Sequence, residues 1–143
     1  PAGLYRARSA HLVLGPLAPD PRSRTLDCPF NLNKNAGGPI HLAYITLAGL
    51  DSPDEARTPI KVALNGKSIY EGPDPLENSA PAASGRPDPW NSYSLPVDPN
   101  LLLQGANTIT ITNLAPSPTV PTSLTSANLP FLVLDYAAVT WMR

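Results

Sequence analysis

The segment Arg86-Pro87-Asp88-Pro89-Trp90-Asn91, followed by Tyr93, gathers the side chains of this chain best suited to holding a ligand. An indole offers a flat apolar surface. A guanidinium, a carboxylate and an amide can pair with hydroxyls on the rim of a ring whose C–H faces are apolar. Pro87 and Pro89 stiffen the segment and so lower the ordering cost of binding. On this reading Trp90 stacks, Arg86, Asp88 and Asn91 form hydrogen bonds, and Tyr93 adds a second ring. A Trp at the start of a strand also plugs the end of a sandwich core. Both readings of Trp90, ligand platform and core plug, stay open on the residues alone.

Turnover chemistry has much thinner support. His11 and His41 are far apart, each in an expected strand, with no Cys, His or acid at ligand spacing on its own strand, so a zinc site is not expected. No nucleophile elbow, P-loop or dinucleotide fingerprint occurs. A hydrolytic pair of carboxylates would need two acids that meet only in space, which leaves a small hydrolase or lyase as a third-ranked reading. Cys28 is the single cysteine, which rules out an internal disulfide, and it reads as a small buried apolar residue.

Composition narrows the classes further. Of 143 residues, 15% are charged and the formal net charge is −1, so no basic excess exists to displace counterions from a nucleic acid. No apolar run is long enough to span a membrane, and no signal-peptide pattern opens the chain. The start at Pro1 reads as that of an excised or processed fragment. The 19 prolines are excluded from helix interiors and central strands, so the chain must consist mostly of strands and connections.

The elements that position the Trp90 segment follow from periodicity. Within Ile60 to Gly72, Ile60, Val62 and Leu64 alternate with Lys61 and Ala63, Asn65-Gly66 follows as the pair that most easily takes the positive φ angles of a type I′ hairpin turn, and the chain resumes as Ser68, Ile69 and Tyr70. Asn107 to Thr112 alternates as cleanly, and Pro130 to Tyr136 forms a closing strand. Ser9 to Leu14 is a short first strand. Residues 16 to 39 read as loop. Ile40 to Leu50 reads as a central strand with both faces apolar, and Asn91 to Val97 as a further strand. Residues 73 to 90 and 114 to 130 form two long loops. Asp98 to Gly105 reads as one helical turn, with Asp98 as cap, Pro99 at the first helical position and Gly105 as left-handed exit. Tyr44 and Tyr70 read as structural, Tyr136 as a loop tie, Trp141 as core or edge packing, and Asn33 and Asn35 as turn formers. The sum is an all-β antiparallel β-sandwich, one domain over residues 1–143. If the first and last strands pair, both termini lie at one end.

Val62 to Gly66 (V-x-L-N-G), Ile69 to Gly72 (I-Y-x-G), Leu102 to Gly105 and Asn107 to Leu114 (N-T-I-T-I-x-N-L), with the ending Leu134-Asp135-Tyr136-Ala137-Ala138-Val139, resemble the galactose-binding-domain-like jelly-roll carbohydrate-binding modules appended to bacterial glycoside hydrolases. The likeness covers roughly Ile60 to Val139. It implies a noncatalytic module excised from a larger secreted, extracellular enzyme, which it holds on a polysaccharide or oligosaccharide through the Trp90 cluster. The alternative is a structural sandwich packed on a catalytic domain without binding sugar. Calcium-containing modules of this kind use the last-strand aspartate together with acids near the N-terminus. Residues 1 to 20 carry Asp20 as their one acid, so calcium at Asp135 is not expected, and Asp51, Asp54 and Glu55 read as a solvated turn. No cofactor is expected, and neither nucleic acid nor membrane is an expected partner.

Overall fold

The computed structural model describes residues 2–6, 12–16, 23–53, 57–117 and 130–143. Among these, nine strands form two antiparallel sheets: β1 (Ala2–Arg6), β2 (Leu12–Leu14), β3 (Thr25–Leu32), β4 (Leu42–Asp51), β5 (Pro59–Leu64), β6 (Lys67–Pro73), β7 (Asn91–Val97), β8 (Gly105–Asn113) and β9 (Leu132–Met142). One sheet runs β1-β9-β4-β7, with β2 also paired to β9. The other runs β3-β8-β5-β6. The fold is the expected all-β sandwich.

Alternation on each strand builds the core between the sheets. Ile45, Leu47 and Val139 from the first sheet meet Ile60, Val62, Leu64, Ile109 and Ile111 from the second, all essentially inaccessible to water. The Asn65-Gly66 turn has φ values of 51 and 79, the doubly positive geometry its two residues favour. The Asn of the N-T-I-T-I run is a structural hub. Asn107 is buried. Its Oδ1 accepts from Asn65 Nδ2 and Leu103 N, both at 2.8 Å, and its Nδ2 donates to Leu103 O and Gly105 O, both at 2.9 Å. Asn65 Oδ1 in turn accepts from Thr108 N at 2.9 Å. Three of the motif fragments, those of Asn65, Leu103 and Asn107, are one hydrogen-bonded knot.

Several expectations are corrected. Residues 25–32 are a strand, with a strictly alternating pattern that buries Leu26, Cys28, Phe30 and Leu32. Pro29 disguised it. β3 is an edge strand, where a missing N–H breaks no ladder, so proline is tolerated. Ala2–Arg6 is a further strand, opposite β9 with Ala2 facing Met142. The central strand starts at Leu42, so His41 lies just before it, exposed, with its N–H bonded to Met142 O. β4 is covered on both faces only in its second half: Leu42 and Tyr44 are exposed, which takes Tyr44 out of the structural set. The helical turn after Asp98 is a single 3-10 turn, Pro99–Leu101, capped by Asp98 Oδ1 on Asn100 N, and it exits at Leu102. Gly105, with φ of 86, opens β8 instead. His11, Asp20, Asp54, Glu55, the strand residues 9–11 and most of the 114–130 loop lie outside the described residues.

Candidate functional site

The long connection between β6 and β7 is held rigid by its own chemistry. At its start, Asp51 and Asp74 are buried beside Thr58. Asp51 Oδ1 accepts from Ser52 N at 2.8 Å and Oδ2 from Thr58 N at 2.9 Å. Its backbone receives Ser79 N at 2.9 Å and donates to Glu77 O at 2.8 Å. Asn78 Nδ2 adds a bond to Ser52 O at 2.8 Å. This strap seats residues 77–79 against the end of β4. Burial raises the Asp51 carboxyl above its ordinary range. Burial, with the Asp51 charge adding to it, pushes Asp74 up to about 7 against the pull of its bond from Leu76 N. Asp74 Oδ2 has no hydrogen-bond partner among the described residues, which also favours the neutral acid.

The loop then makes one 3-10 turn, Ala82–Ser84, left by Gly85 with φ of 64. Asp88 Oδ1 accepts from Ala80 N at 2.9 Å, and Asp88 O accepts from Trp90 N at 3.0 Å. With Pro87 and Pro89 on either side, the loop presents Trp90 from a braced backbone. The indole is 46% exposed, so it is a surface ring and not a plug in the core.

The predicted cluster does not converge on one point. Its loop divides two depressions. Arg86 lines a groove of about 430 Å³ walled by Pro81, Pro87 and Pro89, with Asn78 and Ser79 opposite. Trp90 and Asn91 line a shallower one of about 250 Å³ with Ser92, Gly49, Asp135 and Tyr136. Asp88 spends one carboxylate oxygen on the loop brace, and Asn91 Oδ1 accepts from Glu77 N at 3.1 Å. Tyr93 shares the strand face of the buried Leu95 and Val97 but lies at the sheet edge, 47% exposed and close enough to Tyr70 to influence its hydroxyl. It therefore faces away from Trp90, whose depression opens on the other side of the strand.

Asp135 and Tyr136 enter beside Trp90 because of a bulge. The register of β4 against β9 shifts between Ala48 and Gly49, so Asp135 is the extra residue between the Ala48–Tyr136 and Gly49–Leu134 pairs. Gly49 is required there, since a Cβ would fall 1.9 Å from Val133 O. Sequence reading missed Tyr136 as a neighbour of Trp90, and the Gly-Leu step inside a strand was the one signal that could have placed it. Among the described residues no three His, Cys, Asp or Glu side chains lie close enough to share a metal ion, so nothing there assembles a carboxylate cage around Asp135. No described helix is long and apolar enough to cross a membrane.

No protein-family model matches the chain, and no curated protein matches it. Solved structures do. A family 35 carbohydrate-binding module from Clostridium thermocellum superposes with a TM-score of 0.53 at 16% identity, covering 96% of this chain and 90% of that one. A β-porphyranase of glycoside hydrolase family 86 from Bacteroides plebeius matches with a TM-score of 0.58 at 16% identity over 98% of this chain, which spans 20% of the enzyme. Dimeric latent PorU from Porphyromonas gingivalis matches with a TM-score of 0.55 at 12% identity, over 98% of this chain and 12% of that one. At such identities the likeness is one of fold: this chain has the jelly-roll sandwich seen in carbohydrate-binding modules and in parts of larger proteins.

Proposed function

We propose that this chain is a noncatalytic carbohydrate-binding module that holds an attached polysaccharide-degrading enzyme on its substrate outside the cell. The observation that carries the reading is Trp90, an exposed indole on a backbone braced by Asp88 and two prolines, beside a shallow depression shared with Tyr136 and Ser92. Stacking on the indole would supply apolar contact, and Asn91, Ser92 and Asp135 would meet hydroxyls around the ring. Arg86, across the loop, would serve a substituent reaching into the larger groove. The carboxyls with raised pKa, Asp51 and Asp74, are buried in the strap and do not line either groove, so they are not poised as an acid and base pair. The likeness to a carbohydrate-binding module and to part of a β-porphyranase supports the same reading. Affinity gels containing soluble polysaccharide test it. Trp90→Ala is expected to lose most of its retardation while its melting temperature stays within a few degrees of wild type. Unchanged mobility of Trp90→Ala on every glycan that retards the wild type would reject the assignment.

A further inference from the structure

The groove on the Arg86 side of the loop is lined in a way that does not suit a bare sugar. Pro53, Pro81, Pro87 and Pro89 wall it, and Ala80 adds a methyl group. A pyrrolidine ring carries neither a polar side-chain atom nor a backbone N–H. The donors on the opposite wall are already in use. Asn78 Nδ2 donates to Ser52 O, Ser79 N to Asp51 O and Ala80 N to Asp88 Oδ1. The last of these bonds ties residues 78–81 to residues 86–89, so the two walls are fixed relative to one another before a ligand arrives. Arg86 differs from the rest. Its backbone N–H bonds Ser84 Oγ, whereas its guanidinium has no hydrogen bond or ion pair among the described residues. The groove therefore offers apolar C–H faces and one uncommitted planar cation.

We propose that this groove binds an aromatic acyl group: a flat ring joined to a carboxylate or to an ester carbonyl. The inference rests on the carbohydrate-binding reading for what carries the group, a hydroxycinnamoyl ester on a glycan, and not for the chemistry of the groove itself. Donor accounting excludes a bare sugar, whose hydroxyls would lose water against pyrrolidine rings without gaining partners. An aromatic ring has no such cost. At Trp90 the protein supplies the π face and a sugar would supply the C–H face. In the groove the roles are exchanged: proline supplies C–H faces and the ligand a π face, the same pairing by which aromatic-lined grooves hold proline-rich peptides. The guanidinium of Arg86 matches both parts of the ligand, since it stacks on a ring and donates a fork of N–H groups to carboxylate or carbonyl oxygen. A volume of about 430 Å³ lies within the range of small-molecule sites. Pro89 and Trp90 are consecutive yet line different depressions, so a sugar on the indole carries its substituent next to the groove.

Calorimetry and amide NMR titrations test this with trans-cinnamate, with 3-cyclohexylpropanoate as its non-aromatic counterpart and with acetate as charge alone. A feruloylated arabinoxylan oligosaccharide is compared with the same oligosaccharide after saponification. Cinnamate is expected to shift the amide signals of Asn78, Ser79 and Ala80 and to bind about fivefold more tightly than 3-cyclohexylpropanoate. Arg86→Ala, at an exposed position, is expected to melt with wild type and to lose that preference, and Arg86→Lys to recover only part of it. An affinity gain of about tenfold from the ester, reduced towards one in Arg86→Ala, places the acyl group on a glycan. Selective cinnamate binding without an ester gain assigns the groove to the free acid. No response to cinnamate would overturn the proposal, and so would equal binding of cinnamate, 3-cyclohexylpropanoate and acetate. Either result, in a chain that still binds glycans through Trp90, leaves the carbohydrate-binding reading standing. Cinnamate held selectively by a chain that binds no glycan upholds the groove and rejects that reading instead.

Discussion

Asp74 and Trp90 illustrate two uses of residues that break the burial rule. Asp74 is a carboxyl held where water cannot reach it, and Trp90 is an apolar ring held where water can. For Asp74 the consequence is a pH-dependent stability. Its pKa rises from 3.8 to about 7 on folding, so between those values the folded chain binds more protons than the unfolded one. Stability from this group is therefore fully present below the lower value and is lost as pH climbs through the upper one. Asp51, also raised, acts in the same direction. Asp74→Asn keeps an acceptor for Leu76 N and removes the titrating acid. Thermal melts between about pH 5 and pH 8 should show a smaller drop for the variant than for wild type. Equal drops would mean that Asp74 is ionised at no cost in the native fold. The role of Asp74 was not visible beforehand, since an Asp after a strand looks like a solvated turn, whereas the exposed ring of Trp90 was one of the two readings the sequence left open.

The elements were legible where a single pattern ruled. The β5–β6 hairpin and β8 were read from alternation and Asn-Gly, and their Asn residues meet in the knot around Asn107. Asn107→Ala would take an acceptor from Asn65 Nδ2, which keeps Leu101 O, and from Leu103 N, both part-buried, at a cost of about 1–3 kcal/mol. Denaturant titration measures this, and a loss of less than about 1 kcal/mol would show that the knot is dispensable. Two of the edge strands, β1 and β3, hid themselves, while β6 and β7 were read. β3 alternates as well as β8 does, but Pro29 reads as a loop residue unless the strand is known to lie at the sheet edge. The β4–β9 bulge was hidden for a related reason, because register is a property of two strands and no single segment encodes it. Gly49→Ala forces a methyl group onto Val133 O, so we expect a loss of about 3 kcal/mol or more and a displaced Asp135–Tyr136 edge. The chemical shift of the Trp90 indole N–H should move with it. A variant as stable as wild type, with an unmoved Trp90 signal, would contradict the account of the bulge.

At the scale of the molecule, the two sheets divide the work. One buries its inner face and shows water a threonine-rich outer one. The other exposes Tyr44 of β4 at one end and, at the other, the bulge beside the braced loop of Trp90. The strap around Asp51 and the bulge at Gly49 meet at that end, so the rigid parts of the sandwich sit next to the surface proposed to bind. The sandwich class was evident from turn and strand chemistry. Which corner binds was not, because of the five residues proposed from sequence Arg86 lines one depression, Trp90 and Asn91 another, Tyr93 lies on the opposite side of β7, and Asp88 braces the loop. The most direct test of the central claim is a glycan array probed with this chain at micromolar concentration, followed by calorimetry on the best hits. The account predicts saturable binding to at least one polysaccharide-derived glycan, weakened by Trp90→Ala. A folded chain that binds no glycan on the array would contradict it.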